Sequence, residues 1–392
     1  MGSASVKGER AQADAVPPRG DALLPLAAVA PMQWRDLSER AVEPNGYYLP
    51  EWELAVNAFA AGRTDASALA AWSDGSSPRL IGLLPVIPMK RAYRIPLPAL
   101  VSAHPYGTLC TPPLDRDMSP QAASRLMQQA RSAGAHALIL REVALEGPAM
   151  QAFADGLRQD GLRPRVLQSS LRACLDATQD ADELLHHALG PKKLKELRRQ
   201  RNRLAEHGAV RFDVARTPET VAAAVEIFLA LEASGWKGAR GTALMQHDGD
   251  VRFIRQATAA LAATGQCEIV TLRAADTPVA GAIVLRHQDR AFYFKIGVDE
   301  HFAKFSPGVQ LTLDLTRHLC ADPAIATADS TASPDHPMIN PIWRGRFAIG
   351  DVLLPLRPND PIVALIHAAM VARNSTRAGV RNLLHRVRDF RK

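Results

Sequence analysis

Residues 268–319 carry the pattern that most narrows the fold: three short apolar runs parted by turn residues, then a helix start. The runs are Ile269–Leu272, Ala280–Leu285 and Ala291–Ile296, and Asp276-Thr277-Pro278 and Gln288-Asp289-Arg290 break them apart. Strands joined by such short breaks run back and forth, so the spacing predicts an antiparallel meander. The third strand leaves through Asp299–Phe305 into Ser306-Pro307-Gly308. A serine can accept a bond from a free helical N–H and a proline suits the first helical position, so a helix is expected from Pro307 to about Leu319. Its N-terminal N–H groups would face the mouth of the sheet. Such an end favours a phosphate, with Lys304 just upstream and Gly308 leaving the backbone open to approach. A plain helix cap is the alternative reading of the same three residues.

The rest of the chain surrounds that unit with more helices and strands. At 392 residues and 47% hydrophobic it exceeds one ordinary core, and two domains are expected. Met1 to about Ala30 reads as a disordered leader. A first domain over 31–175 would hold a helix from Pro50, strands at Ala66–Trp72 and Leu80–Val86, an extended stretch Leu100–Cys110, a helix Pro120–Ala133, a strand Ala137–Leu140, a helix Pro148–Asp160 and a strand Val166–Leu175. A second over 176–360 would open on a basic helix, about Glu183–His207, with Leu194, Leu197 and Leu204 on one side. A strand Val210–Ala215, a helix from Thr217-Pro218 to about Ser234 and a helix Asp250–Ala263 lead into the meander. After the Pro307 helix come Ala324–Ala328, a loop Asp329–Asn340 and the strand-like Phe347–Leu356. Pro358 and Pro361 mark a linker, and 361–392 reads as an amphipathic helical tail interrupted near Asn374–Gly379.

Charge is concentrated in two places. Pro191–Arg203 and Pro361–Lys392 each hold seven basic residues against one acid, which leaves the remainder net acidic although the chain carries +7. Whatever anions are served are met locally. Cys110, Cys174, Cys267 and Cys320 are widely spaced with no Cys-x-x-Cys pair, so neither a metal site nor a disulfide framework is expected. The longest apolar runs are too short to span a bilayer and no signal-peptide pattern opens the chain, so a cytoplasmic protein is expected.

A meander whose last strand feeds a phosphate-facing helix resembles the core of the GNAT acyltransferases. The wording is closer to their tandem branch, the CelD-like acyltransferases associated with envelope polysaccharides and the FemAB-type aminoacyl transferases. The likeness is carried by Lys192–Arg199, Leu231–Gly238, Gly281-Ala282, Ser306-Pro307-Gly308, Asp335–Ile339 and Trp343, across about 180–356, and more weakly across about 50–175. Lys304–Gly308 stands where the family's usual Gln or Arg with two spaced glycines would be. The resemblance implies an α/β (α+β) fold of two tandem GNAT-like domains, each a mixed, mainly antiparallel sheet flanked by helices, the first degenerate. It implies an acyl-CoA-dependent N-acyltransferase, with acetyl-CoA or another acyl-CoA as co-substrate, no metal, and an amino sugar or envelope precursor as acceptor.

Lys304, Ser306, Pro307 and Gly308 would then bind the donor. His336, in a proline-rich loop beside Asp335, would be the proton acceptor, because amine acylation needs a base near neutral pKa; Glu232 is the rival. Trp236, Lys237 and Asp329 would meet the acceptor. Each has a structural alternative: Glu232 solvated or paired with Lys237, Trp236 in the core, His336 idle in its loop. Two other classes stay open. One is a FemAB-like transferase using aminoacyl-tRNA held by the Pro191–Arg203 helix; the other is a peripheral protein at the inner membrane face, held on anionic lipid by 361–392. No DNA partner is implied.

Overall fold

The computed structural model describes residues 23–235, 241 and 243–389, with side chains to residue 376. The first half runs β1 (Leu24–Pro25), α1 (Pro31–Glu39), α2 (Pro50–Phe59), β2 (Ser67–Trp72), β3 (Leu80–Pro88), α3 (Met89–Tyr93), β4 (Ala99–Ser102), α4 (Ser119–Ser132), β5 (Ala137–Ala144), α5 (Pro148–Gln159) and β6 (Arg165–Asp176). The second runs α6 (Ala181–Leu204), β7 (Val210–Ala215), α7 (Pro218–Ser234), α8 (Asp248–Ala263), β8 (Cys267–Ala274), β9 (Thr277–His287), β10 (Arg290–Val298), α9 (Pro307–Cys320), β11 (Thr327–Asp329) and β12 (Gly345–Pro355). Helix α10 (Pro361–Asp389) closes the chain.

The expected meander is present as β8, β9 and β10, paired antiparallel in sequence order. Its strands outrun their apolar cores because Thr277 and Pro278 belong to β9 and the turn tightens onto Ala275 and Asp276, with Ala275 left-handed at φ 51°. All strands join one mixed, mainly antiparallel sheet in the order β1-β2-β3-β4-β5-β12-β6-β11-β10-β9-β8-β7. Read inward from either end, each strand is matched by the one six places away. The two parallel pairs, β4 with β5 and β10 with β11, occupy matching positions, each bridged by a helix, α4 or α9. The innermost strands are exchanged: β12 lies between β5 and β6, and β6 between β12 and β11. Each half's last strand therefore completes the other half.

Separate apolar clusters sit under α4 and α5 in the first half and under α6 and α9 in the second. A third belongs to both. In it α2 of the first half packs on α8, and Trp52 lies edge-on to Phe253 at 4.9 Å and to Phe294 at 4.8 Å. Polar bonds cross the same seam. His287 at the end of β9 accepts the Asn45 N–H at its Nδ1 (2.8 Å) and pairs its Nε2 with the Ser38 carbonyl at 3.0 Å.

Local departures from expectation have physical causes. Leu24–Pro25 pair with β2, and Leu26 and Val29 are buried, so ordered chain begins before residue 30. The basic helix is two helices meeting at Gly190 (φ 71°) and Pro191, since the proline ring cannot continue the preceding turn. Leu194, Leu197 and Leu204 are buried as their spacing requires. The last helix runs unbroken through 374–379. Its first turns are no free tail: Val363, Ile366 and Met370 are buried against Met89, Val101, Ile139 and Leu353.

Candidate active site

The parallel pair β10–β11 holds for only three residues, Arg290–Phe292 against Thr327–Asp329, and then the strands part. β10 also bulges against β9 between Tyr293 and Lys295. A bulge re-aims side chains, and here it turns a strand edge into the wall of a cleft. The cleft holds about 130 Å³, enough for the reacting end of a ligand, and is lined by Tyr293, Lys295, Thr331, His336, Met338 and Ile339 among others. Thr331, left-handed at φ 48°, fastens its inner end: its Oγ1 donates to the Tyr293 carbonyl at 2.6 Å, and its N–H to Asp329 Oδ1 at 2.9 Å.

Lys295 is the cation of this cleft. Its Nζ lies 3.1 Å from Oε1 of Glu232, while Oε2 of Glu232 accepts the Leu244 N–H at 2.9 Å. Glu232 is 1% exposed, and a carboxylate so deep needs a paired charge. It reaches β10 because Gly297 has no side chain: a Cβ there would stand 2.8 Å from the Glu232 nitrogen. Residues of the first half complete the wall. The Tyr106 ring centre is 5.7 Å from Lys295 Nζ, its hydroxyl donates to the buried Asp250 at 2.8 Å, and the Arg63 guanidinium stacks on the ring at 4.2 Å. Burial and the bond to Asp250 push the Tyr106 phenol above its ordinary range, so it stays protonated.

The expected donor-site residues cluster at the exit of β10. Pro307 opens α9 as predicted, but Ser306 is left-handed (φ 53°) and its side chain makes no capping bond. A serine in that conformation turns the chain into the helix and directs its hydroxyl elsewhere, which corrects the expected cap. Gly308 is buried, and a Cβ on it would meet Met338 Sδ at 3.2 Å and Ile296 Cδ1 at 3.3 Å. The 330–340 loop thus covers the start of α9. Lys304 is exposed, its Nζ 4.9 Å from the Phe305 ring centre.

His336 lies on the cleft, half-buried, with Nδ1 at 3.3 Å from the Met338 N–H. Asp335 is exposed. Asp329 is 1% exposed and locked to Arg172, whose Nη1 also donates to the Thr108 carbonyl at 2.6 Å, so it ties β11 to β6 and the first half. Trp236 and Lys237 lie outside the described residues. Lys295, Tyr106 and Arg172 were missed from sequence. The signal for Lys295 was a lone charge inside the apolar run Ala291–Ile296; Tyr106 and Arg172 sit in the other half and gave none.

Among the described residues no helix is long and apolar enough to cross a membrane, and no cluster of His, Cys, Asp or Glu could hold a metal ion. Residues 191–336 match the family model described as an acetyltransferase (GNAT) domain. No curated protein matches the chain's sequence. Among solved structures it is similar to FemX (13% identity, 86% of this chain and 98% of that one, TM-score 0.55). It is also similar to the C-terminal domain assigned to a lysylphosphatidylglycerol synthetase from Agrobacterium fabrum (13% identity, 87% and 96%, TM-score 0.52). A third is a conserved protein of unknown function from Bacteroides thetaiotaomicron (11% identity, 83% and 98%, TM-score 0.51). At such identities the likeness is one of fold.

Proposed function

On the premise that residues 191–336 form a GNAT acetyltransferase domain, we propose that this chain moves an acyl group from an activated donor in the β10–β11 cleft to an amine arriving at the seam between the halves. The observation that carries this reading is the split strand pair with Lys295 on its edge. An extended donor laid in the split would find unpaired strand edge to bond, and its carbonyl would lie beside the Lys295 ammonium. Attack by the amine places negative charge on that carbonyl oxygen, and a fixed ammonium beside it stabilises the transition state more than the ground state. Glu232 holds Lys295 in place. With both its oxygens engaged, Glu232 is poorly placed to take a proton.

His336 is the base of this scheme. With Nδ1 accepting from Met338, the neutral ring carries its proton on Nε2, so it must swap tautomer to accept from the amine. That swap gives up the bonds Nδ1 accepts from the Met338 N–H at 3.3 Å and the Ile339 N–H at 3.5 Å, so the ring must turn away from them to act. The donor is an acyl-CoA, acetyl-CoA first, with its phosphates beside the exposed Lys304; Gly308, expected to leave the backbone open, is covered by Met338. The acceptor is a small or sugar-linked amine of the cell envelope, and Trp236 and Lys237 would act on that side; Asp329, expected there too, is instead buried against Arg172 and braces the cleft wall.

A second donor is favoured by one observation: Lys192, Lys193, Lys195, Arg198 and Arg199 are all exposed on the second segment of α6, a basic face suited to the phosphates of an aminoacyl-tRNA. Thermal unfolding with acetyl-CoA, longer acyl-CoAs and charged tRNA separates the two, since a ligand of the native state raises the melting temperature. A rise with acyl-CoA that Lys304→Glu removes supports the first reading. A rise with tRNA alone, steeply salt-dependent, replaces it with the second.

A further inference from the structure

The matched strand order puts a second split in the first half. β4 and β5 pair from Ala99–Val101 to Ala137–Ile139 and then part, and Glu142 beyond them is left-handed at φ 45°. Counting from the paired residues, Ser102 takes the place of Tyr293 and Arg141 that of Thr331. A hydroxyl fastens each split: Ser102 Oγ accepts the Arg141 N–H at 2.9 Å, as Thr331 bonds Tyr293.

From the first split comes Arg141, whose guanidinium leaves two nitrogens unmet. Nε and Nη2 of Arg141 are both buried without a hydrogen-bond partner, and among the described residues no other side chain has two such nitrogens. These two N–H groups lie on one edge of the guanidinium, parallel and spaced for two oxygens of a carboxylate or phosphate. Leaving both unmet inside a protein is costly, and native structures avoid it unless something else supplies the acceptor. The neighbouring acids do not. Asp351 spends its oxygens on the Glu142 N–H (2.9 Å) and on Gln168 Nε2 (2.7 Å). Burial raises the pKa of Glu53, Glu142 and Asp351, which favours their neutral forms. The Tyr93 hydroxyl is also buried without a partner, so a further donor stands close by.

The residues beside this split reach the wall of the acyl cleft. His104 and Glu142, with side chains 33% and 35% exposed, face each other at 3.9 Å, and the Tyr106 N–H donates to His104 Nδ1 at 3.1 Å. Tyr106 is the residue that walls Lys295. The first half's own bridging helix is not a competing phosphate site, because the carboxylate of Asp115 is buried just before α4, paired with Arg40 and with Arg79 at 3.4 Å.

We infer that the free edge of Arg141 receives an oxyanion, a carboxylate or phosphate, which on the acyl-transfer reading belongs to the acceptor and fixes its approach to the seam. The probes are inorganic phosphate and acetate, compared with chloride at matched ionic strength in thermal unfolding of the full chain. One of them should raise the melting temperature by about 2 °C or more at tenfold excess over its Kd, and which one does so names the group. Arg141→Met should abolish that rise while melting no lower than the wild type without anion, since it removes unmet buried donors; Arg141→Lys, which keeps charge but not the paired edge, should show a weakened rise. If neither anion outdoes chloride, or if Arg141→Met melts well below the wild type, Arg141 is a structural residue and the inference falls. No acyl donor enters this test, so its failure leaves the transfer reading standing, and failure of donor binding leaves this one standing.

Discussion

Lys295 and Glu232 divide two tasks, and substitution can separate them. Lys295→Met takes a cation from beside a carboxylate in the interior, so it should cost stability, up to roughly 3–5 kcal/mol, as well as activity. Adding Glu232→Gln should restore most of the stability, measured by chemical denaturation, yet leave turnover about 100-fold or more below wild type, because only the ammonium meets the reacting carbonyl. Recovery of turnover in the double variant would remove Lys295 from the chemistry. His336→Ala should lower kcat by about 100-fold and erase one limb of the pH–rate profile, with the melting temperature unchanged. Full activity in that variant would return His336 to the role of a loop residue. Glu232 was legible in the sequence as an acid near a helix end; its partner was not. Pairing Glu232 with Lys295 depends on Gly297 bringing α7 onto β10, a tertiary approach that no local spacing encodes.

Strands and helices with strong local signals were legible nearly end to end: β7 and α7 begin and end where their caps and apolar runs put them. The short α1 and α3 were not foreseen, since each is too brief to show a period. Helix α10 shows the opposite failure, in which a real amphipathic pattern was assigned to the wrong neighbour. Its apolar stripe serves this chain's own sheet. Removing 361–392 should therefore expose the sites of Val363, Ile366 and Met370, each worth about 1.5–3 kcal/mol, and yield an unfolded or aggregating protein. Removing 377–392 leaves those side chains in place and should change the melting temperature by only a degree or two. Equal stability of the two truncations would show that the helix docks without holding the fold.

Across the molecule, the seam is acid-sensitive. Burial lowers the pKa of His287 to about 4, against an ordinary 6.5, and the Ser38 carbonyl that accepts from Nε2 offsets this only in part, while Nδ1 is taken up by the Asn45 N–H. A depressed pKa means the unfolded chain takes the proton first. The His287 contribution, on the order of 3 kcal/mol, is thus present above pH 6.5 and lost as pH falls toward 4. Unfolding measured from pH 7 to pH 4 should show a smaller decline in His287→Gln than in the wild type; parallel curves would place the sensitive group elsewhere. The mixed sheet and its flanking helices were legible because period and turns are local. The exchange of β6 and β12 was not, because Gly345–Pro355 carries the same alternation whichever strand it joins. That exchange also sets a timetable for synthesis on the ribosome. β5 lacks its inner neighbour until Pro355 has left the exit tunnel, so a nascent first half waits with an open strand edge while the whole second half is made. Arrested nascent chains should stay protease-sensitive in the first half until the arrest point passes residue 355 plus the tunnel length, and then become resistant in one step.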